Sequence, residues 1–205
     1  MSIPAPVGKF ITVEGGEGAG KSTSLEFIRH YLESAGHRVV CPSLPDAATS
    51  TFDEHVATVC GAARANNCSS IRLVGQSYGG LVITVANDQI RDLVDRLVYL
   101  DTAYPVPGKS LFDLATIVDV DPREVTDPYP PFVTPLEFDT EIWAAVPKLY
   151  VRALRSRFAS ITAVAARRVD ERADEENWTY LELDTGHNMM LEAPGQTVAL
   201  LERVA

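Results

Sequence analysis

Short apolar runs alternate along the chain with longer stretches whose apolar residues recur at helical spacing. In 51–66, Phe52, Val56, Val59 and Ala63 fall on one helical face, whereas 71–75 is a short, mostly apolar run typical of a buried strand. The pattern predicts strands at 10–14, 38–41, 71–75, 96–100, 149–152 and 178–183, and helices at 21–34, 51–66, 77–87, 157–169 and 194–204. Such alternation favours a mostly parallel sheet with helices on both faces. The predicted fold class is α/β, a three-layer α/β/α sandwich around a six-stranded sheet.

Length and charge narrow the class of protein. The 205 residues suit one domain, and the net charge of −10 argues against a nucleic-acid partner, which normally requires a basic face. No apolar run approaches the roughly 18 residues that span a bilayer, so no membrane partner is expected. The three cysteines form neither an even disulfide set nor a metal-ligand pair, which indicates a reduced compartment. We therefore expect a cytoplasmic protein without a bound metal.

The acidity is concentrated in one segment. Residues 101–145 hold nine acidic and two basic residues, together with seven of the thirteen prolines. Proline breaks helices and removes donors from strands, so this segment cannot form one regular element. We interpret 104–145 as a short cap, whose aromatic residues would wall a pocket and whose charge would disfavour anionic substrates; a solvated loop without a role is the alternative. The aromatic residues are Phe112, Tyr129, Phe132, Phe138 and Trp143.

A phosphate-binding motif follows the first predicted strand. The segment 15–22 reads GGEGAGKS, in which glycine N–H groups can wrap a phosphate, Lys21 can reach the outer phosphates and Ser22 can hold Mg²⁺. From Phe10 to about Val40 the chain resembles thymidylate kinases, and the likeness stops at the CPSLP of 41–45. The resemblance implies ATP and Mg²⁺ as ligands if the loop functions; otherwise the loop only connects strand and helix. The candidate phosphate contacts are Gly15, Gly18, Gly20, Lys21, Ser22 and Thr23.

A second motif follows the third predicted strand. The segment 75–79 reads GQSYG, the pattern of a strained turn that lifts a nucleophilic serine, Ser77, out of a sheet. His187 lies just past the last predicted strand, where it can act as the base for Ser77. The remaining histidines, His30, His37 and His55, are interpreted as surface or helix-edge residues.

From about residue 38 to 205 the chain resembles α/β hydrolases of the salicylate-esterase and hydroxynitrile-lyase branch. The resemblance rests on HRVVCPSLP at 37–45, LVGQSYGG at 73–80, LVYLD at 97–101 and LDTGHNMM at 183–190. It implies that Ser77 is the nucleophile, His187 the general base and the backbone N–H of Tyr78 an oxyanion donor. The backbone N–H of Gly16, or alternatively of Glu17, is the candidate for the second donor, although Glu14 replaces the family's histidine there. The loop after the fifth strand has no carboxylate, so Asp101 is the expected third member, ahead of Asp170 and Asp184.

The two resemblances indicate a chimera, natural or engineered, joined near residues 36–42. We therefore expect a serine hydrolase or esterase that acts on a small, mostly neutral ester by a Ser-His-Asp mechanism and needs no cofactor. A nucleotide-binding protein and an inactive scaffold are the alternatives. The sequence leaves the substrate and the oligomeric state open.

Overall fold

The architecture is a six-stranded sheet with helices on both faces. The computed structural model describes residues 9–13, 21–66 and 70–203. All paired strands in this part of the chain are parallel, in the order β2-β1-β3-β4-β5-β6. The predicted fold class is confirmed, and each predicted strand and helix agrees with the structure to within about two residues. The strands are β1 Lys9–Val13, β2 Arg38–Val40, β3 Ile71–Gln76, β4 Val94–Leu100, β5 Lys148–Ala153 and β6 Trp178–Leu183.

Alternate residues of the central strands face two buried layers. Leu73 and Leu97 belong to one buried cluster, and their neighbours Val74 and Val98 belong to another on the opposite face. This arrangement explains why the strands are apolar on both faces. The long helices are α1 Lys21–Ser34, α2 Phe52–Ala65, α3 Tyr78–Gln89, α8 Ala159–Glu171 and α10 Pro194–Arg203, and α9 is the short Met189–Glu192.

The proline-rich segment after β4 folds into four short helices. Prolines occupy the first turn of two of them, at Pro122 and Pro130, where a missing N–H costs no hydrogen bond. Ser110 and Asp139 cap the other two by accepting hydrogen bonds from first-turn N–H groups. The four helices are α4 Leu111–Thr116, α5 Pro122–Val125, α6 Pro130–Val133 and α7 Thr140–Ala145.

No helix in the described parts of the chain combines the length and the hydropathy that a bilayer crossing requires.

Candidate active site

Ser77 occupies a strained turn between β3 and α3. Its φ of 53° and ψ of −125° lie in a region that residues other than glycine rarely adopt. Its hydroxyl does not cap α3. The turn requires glycine on the strand side, because a Cβ on Gly75 would lie 2.4 Å from the carbonyl oxygen of Gly79. The GQSYG pattern is thus explained by backbone crowding around a half-buried serine.

The turn is fixed against β4 and the segment after it. The N–H of Ser77 donates to the carbonyl of Leu100 at 3.0 Å. A Cβ on Gly80 would lie 2.5 Å from the hydroxyl oxygen of Thr102, so α3 and the end of β4 approach each other closely. The position of Ser77 is therefore set by the sheet.

Asp101 and His187 form a buried hydrogen-bonded pair. Nδ1 of His187 lies 2.7 Å from Oδ2 of Asp101, and their side chains are 10% and 0% exposed. Because a carboxylate accepts only, Nδ1 carries the proton and Nε2 is the nitrogen left to take one up. Asp101 directly follows β4, and its φ of 49° turns the chain out of the strand.

Two further donors fix the carboxylate of Asp101. Ser156 donates its hydroxyl proton to Oδ2 at 2.5 Å, and the N–H of Ala153 donates to Oδ1 at 3.1 Å. Both donors lie at the end of β5 or in the loop after it. Ser156 was not among the predicted site residues, although a hydroxyl in the loop after the strand next to Asp101 was a possible signal.

The imidazole and backbone of His187 are held from two sides. The ring of Phe158 meets the imidazole edge to face, with centroids 4.6 Å apart. Gln76, immediately before Ser77, donates from Nε2 to the carbonyl of His187 at 2.7 Å. The residue preceding the candidate nucleophile thus also positions the candidate base.

Ser77, Asp101 and His187 line one small pocket. Its other walls are mostly apolar and include Leu111 and Phe158. Its volume is about 20 Å³, which is room for about one water molecule. The expectation that the five cap aromatics wall this pocket is wrong: none of them lines it, and Phe138 and Trp143 line a second cavity instead.

Tyr78, next after Ser77, is anchored by a buried histidine. Its hydroxyl lies 2.9 Å from Nδ1 of His55, and Nε2 of His55 lies 2.8 Å from the Ser50 hydroxyl and 3.1 Å from the Pro45 carbonyl. A proton on Nε2 satisfies both of these acceptors, so Tyr78 donates to Nδ1. Burial lowers the pKa of His55. The interpretation of His55 as a surface residue is wrong, because its side chain shares the buried face of α2.

The two alternatives to Asp101 as the third member of the site, Asp184 and Asp170, lie apart from Ser77 and His187. Asp184 is 79% exposed and pairs with Arg155 at 2.9 Å, and Asp170 is exposed near the end of α8. His30 is exposed and His37 is half-buried.

Most of the predicted phosphate loop lies outside the described residues. This applies to Gly15, Gly16, Gly18 and Gly20, so the second oxyanion donor is not located either. Lys21, Ser22 and Thr23 form the first turn of α1, and their side chains are also outside the description. Within the described part of the chain, no group of three histidine, cysteine or acidic residues is arranged to hold a metal ion.

Solved structures with the same architecture include hydrolases and esterases. A pyrethroid hydrolase from Sphingobium faniae JZ-2 has a TM-score of 0.73 and 18% identity, covering 96% of each chain. An extracellular α/β-hydrolase from a Paenibacillus species has a TM-score of 0.73 and 15% identity, covering 96% of this chain and 98% of that one. That protein shares structural and functional homology with tobacco salicylic acid binding protein 2. The chain has the α/β-hydrolase fold. Polyneuridine aldehyde esterase, with a TM-score of 0.68 and 17% identity over 96% of this chain and 98% of that one, has it too.

Two kinds of curated protein match this chain in sequence. The carbendazim hydrolyzing esterase of Nocardioides sp. strain SG-4G is 37% identical over 91 residues, 40% of this chain and 38% of that protein. The thymidylate kinase of Hahella chejuensis is 60% identical over 38 residues, 18% of each chain. The chain thus spans less than two fifths of the esterase and less than a fifth of the kinase. No family model matches it.

Proposed function

We propose that this chain is a serine hydrolase that cleaves a small carboxylic ester. The observation that carries the proposal is the buried Asp101–His187 hydrogen bond of 2.7 Å, in the same pocket as Ser77 on its strained turn. The similarity to an esterase and to hydrolases supports the same class of reaction.

In the proposed reaction, the hydroxyl oxygen of Ser77 attacks the ester carbonyl while Nε2 of His187 takes the hydroxyl proton. The backbone N–H of Tyr78 donates to the oxyanion that forms. The C–O bond then breaks, and His187 returns the proton to the departing alcohol. Water attacks the acyl group on Ser77 by the same route and releases the acid. Asp101 holds the Nδ1 proton of His187 throughout.

Labelling by a fluorophosphonate probe and hydrolysis of p-nitrophenyl acetate test this proposal. The parent protein is expected to be labelled at Ser77 and to hydrolyse the ester, and Ser77→Ala to lose both. His187→Ala is expected to lose about 10²–10⁴-fold in rate, because it removes the proton acceptor.

Ser34→Ala is the matched control, because Ser34 is an exposed serine at the end of α1. It should leave labelling and rate unchanged. A folded parent that is not labelled at Ser77 would contradict the proposal and favour the inactive scaffold.

Nucleotide binding is the second candidate function. It is supported by the identity of 53–60% to thymidylate kinases over 38 residues and by the motif at 15–22. These matches, beside the esterase match, also support our interpretation of the chain as a chimera.

Thermal unfolding with millimolar Mg²⁺-ATP tests this second function. A raised Tm in the parent that is lost in Lys21→Ala would support it, because a ligand of the folded state stabilises by mass action. An unchanged parent Tm would count against it.

A further inference from the structure

A second and larger cavity lies between α8 and the segment that follows β4. Its volume is about 490 Å³, within the range of small-molecule sites. Its lining includes Tyr104, Phe138, Trp143 and Arg168, and it shares no lining residue with the pocket at Ser77. The proposed reaction does not use this cavity.

Three aromatic rings are part of the lining, and they are held in place. The ring of Trp143 makes interplanar angles of 67° with Phe138 and 89° with Tyr104, with centroids 5.6 and 5.8 Å apart. The indole N–H of Trp143 donates to the Tyr99 hydroxyl at 2.8 Å, and Lys148 donates to the Trp143 carbonyl at 2.6 Å. An aromatic ligand would therefore meet a preformed surface, which lowers the entropic cost of binding.

The acidic residues that line the cavity have partners. Oε2 of Glu176 accepts from the Tyr104 hydroxyl at 2.5 Å and from the Trp178 indole at 2.9 Å, and Oε1 accepts from Arg172 at 3.0 Å. Glu171 pairs with Arg167 at 3.8 Å. Neither carboxylate therefore needs Arg168 as its counter-ion.

Arg168 is the cationic group that remains available. Its guanidinium lies over the Tyr104 ring, 5.6 Å from the centroid, and the described residues give it no hydrogen bond or ion pair. A half-buried guanidinium stacked on an aromatic ring presents a planar fork of donors that matches a carboxylate. The lining holds two arginines and two glutamates, so its formal charges balance and Arg168 is the cation left for a ligand.

We propose that this cavity binds a small aromatic carboxylate, with the ring against Trp143 and Phe138 and the carboxylate on Arg168. The site is separate from Ser77 and does not depend on the proposed hydrolase activity.

Phenylacetate is the probe, and its binding is measured by tryptophan emission and by calorimetry. Trp143 is one of only two tryptophans in the chain, so its emission reports directly on the cavity. Saturable binding of phenylacetate is expected, and binding of the uncharged phenylacetamide should be at least about 10-fold weaker. The Ser77→Ala protein should bind phenylacetate as the parent does.

Substitutions of Arg168 locate the carboxylate. Arg168→Gln should weaken phenylacetate binding about 10-fold or more, and Arg168→Lys should lie between it and the parent, because lysine keeps the charge and loses the planar fork. Arg203→Gln, an exposed arginine of α10, is the charge-matched control and should bind as the parent does.

Three outcomes would overturn the proposal. They are the absence of saturable phenylacetate binding, equal affinity of the parent and Arg168→Gln for phenylacetate, and loss of binding after Ser77 has been labelled with the fluorophosphonate probe. The last would place the ligand in the Ser77 pocket. Circular dichroism of each variant separates lost binding from lost folding, and Arg168→Lys keeps the test open should Arg168→Gln unfold.

Discussion

At the scale of single residues, His55 links the fold to the candidate site. Tyr78 supplies the proposed oxyanion N–H from its backbone, and its side chain is fixed by the hydrogen bond to Nδ1 of His55. This bond requires a neutral imidazole, because a protonated Nδ1 cannot accept. The packing around Ser77 therefore depends on the protonation of a residue that takes no part in the proposed reaction.

The stability of the protein should fall on the acid side partly because of His55. Burial lowers its pKa in the folded state below the ordinary value of 6.5. The unfolded chain therefore takes up a proton as the pH falls through about 6.5 while the folded state does not, so stability present above that pH is lost below it. The free energy of unfolding should decrease more steeply between about pH 7 and 5 in the parent than in His55→Gln, as measured by urea denaturation.

His30→Gln, which replaces an exposed histidine, should keep the parent's pH dependence. Parallel curves for the parent and His55→Gln would contradict this explanation.

Residue patterns in the sequence identified Asp101 and His187 of the candidate site, but not the residues that hold them in place. Strand ends placed Asp101 and His187 at the same edge of the sheet, and the structure brings them within 2.7 Å. The burial of His55 could also have been predicted from the sequence, because His55 shares a helical face with Phe52 and Val59. Ser156 could not be inferred in the same way, because its contact with Asp101 depends on the path of an irregular loop rather than on periodicity.

At the scale of elements, the junction of β3 and α3 is sterically crowded. Gly75 and Gly80 lack room for a Cβ, since backbone or a buried β-branched residue occupies the space. The motif predicted this turn, because the close approach is a property of the strand-to-helix connection itself. The four short helices after β4 were not predicted, because each is too short for periodicity to register.

Two glycine substitutions should have opposite effects. Gly75→Ala should destabilise the protein by about 3 kcal/mol or more, because its Cβ would lie 2.4 Å from the backbone oxygen of Gly79. Gly61→Ala should stabilise it by about 0.5–1 kcal/mol, because Gly61 is exposed in α2 with nothing within 4 Å of an added Cβ. Urea denaturation of both variants measures the difference. A stable Gly75→Ala protein would show that the turn relaxes, contrary to this account.

At the scale of the whole molecule, the kinase-like opening and the hydrolase-like remainder share one core. Ile28 and Leu32 of α1 are fully buried in the same cluster as Val198 and Leu201 of α10. The sequence predicted this compatibility, because both resemblances begin with a strand, a glycine-rich connection and a helix. It could not predict the cavity at Arg168, whose walls come from two distant segments packed by the tertiary fold.

The register of β1 on β3 sets a condition on how the two motifs could work. Val13, the last residue of β1, pairs with Gly75, two residues before Ser77. The strand order reverses at β1, because β2 lies on one side of it and β3 on the other. Ligands of parallel sheets bind at the carboxyl ends of strands, at such a reversal. A ligand bound beyond the end of β1 and an ester at Ser77 would therefore be neighbours. If both motifs function, a bound nucleotide would slow ester hydrolysis. The chain could then not carry out the two activities independently.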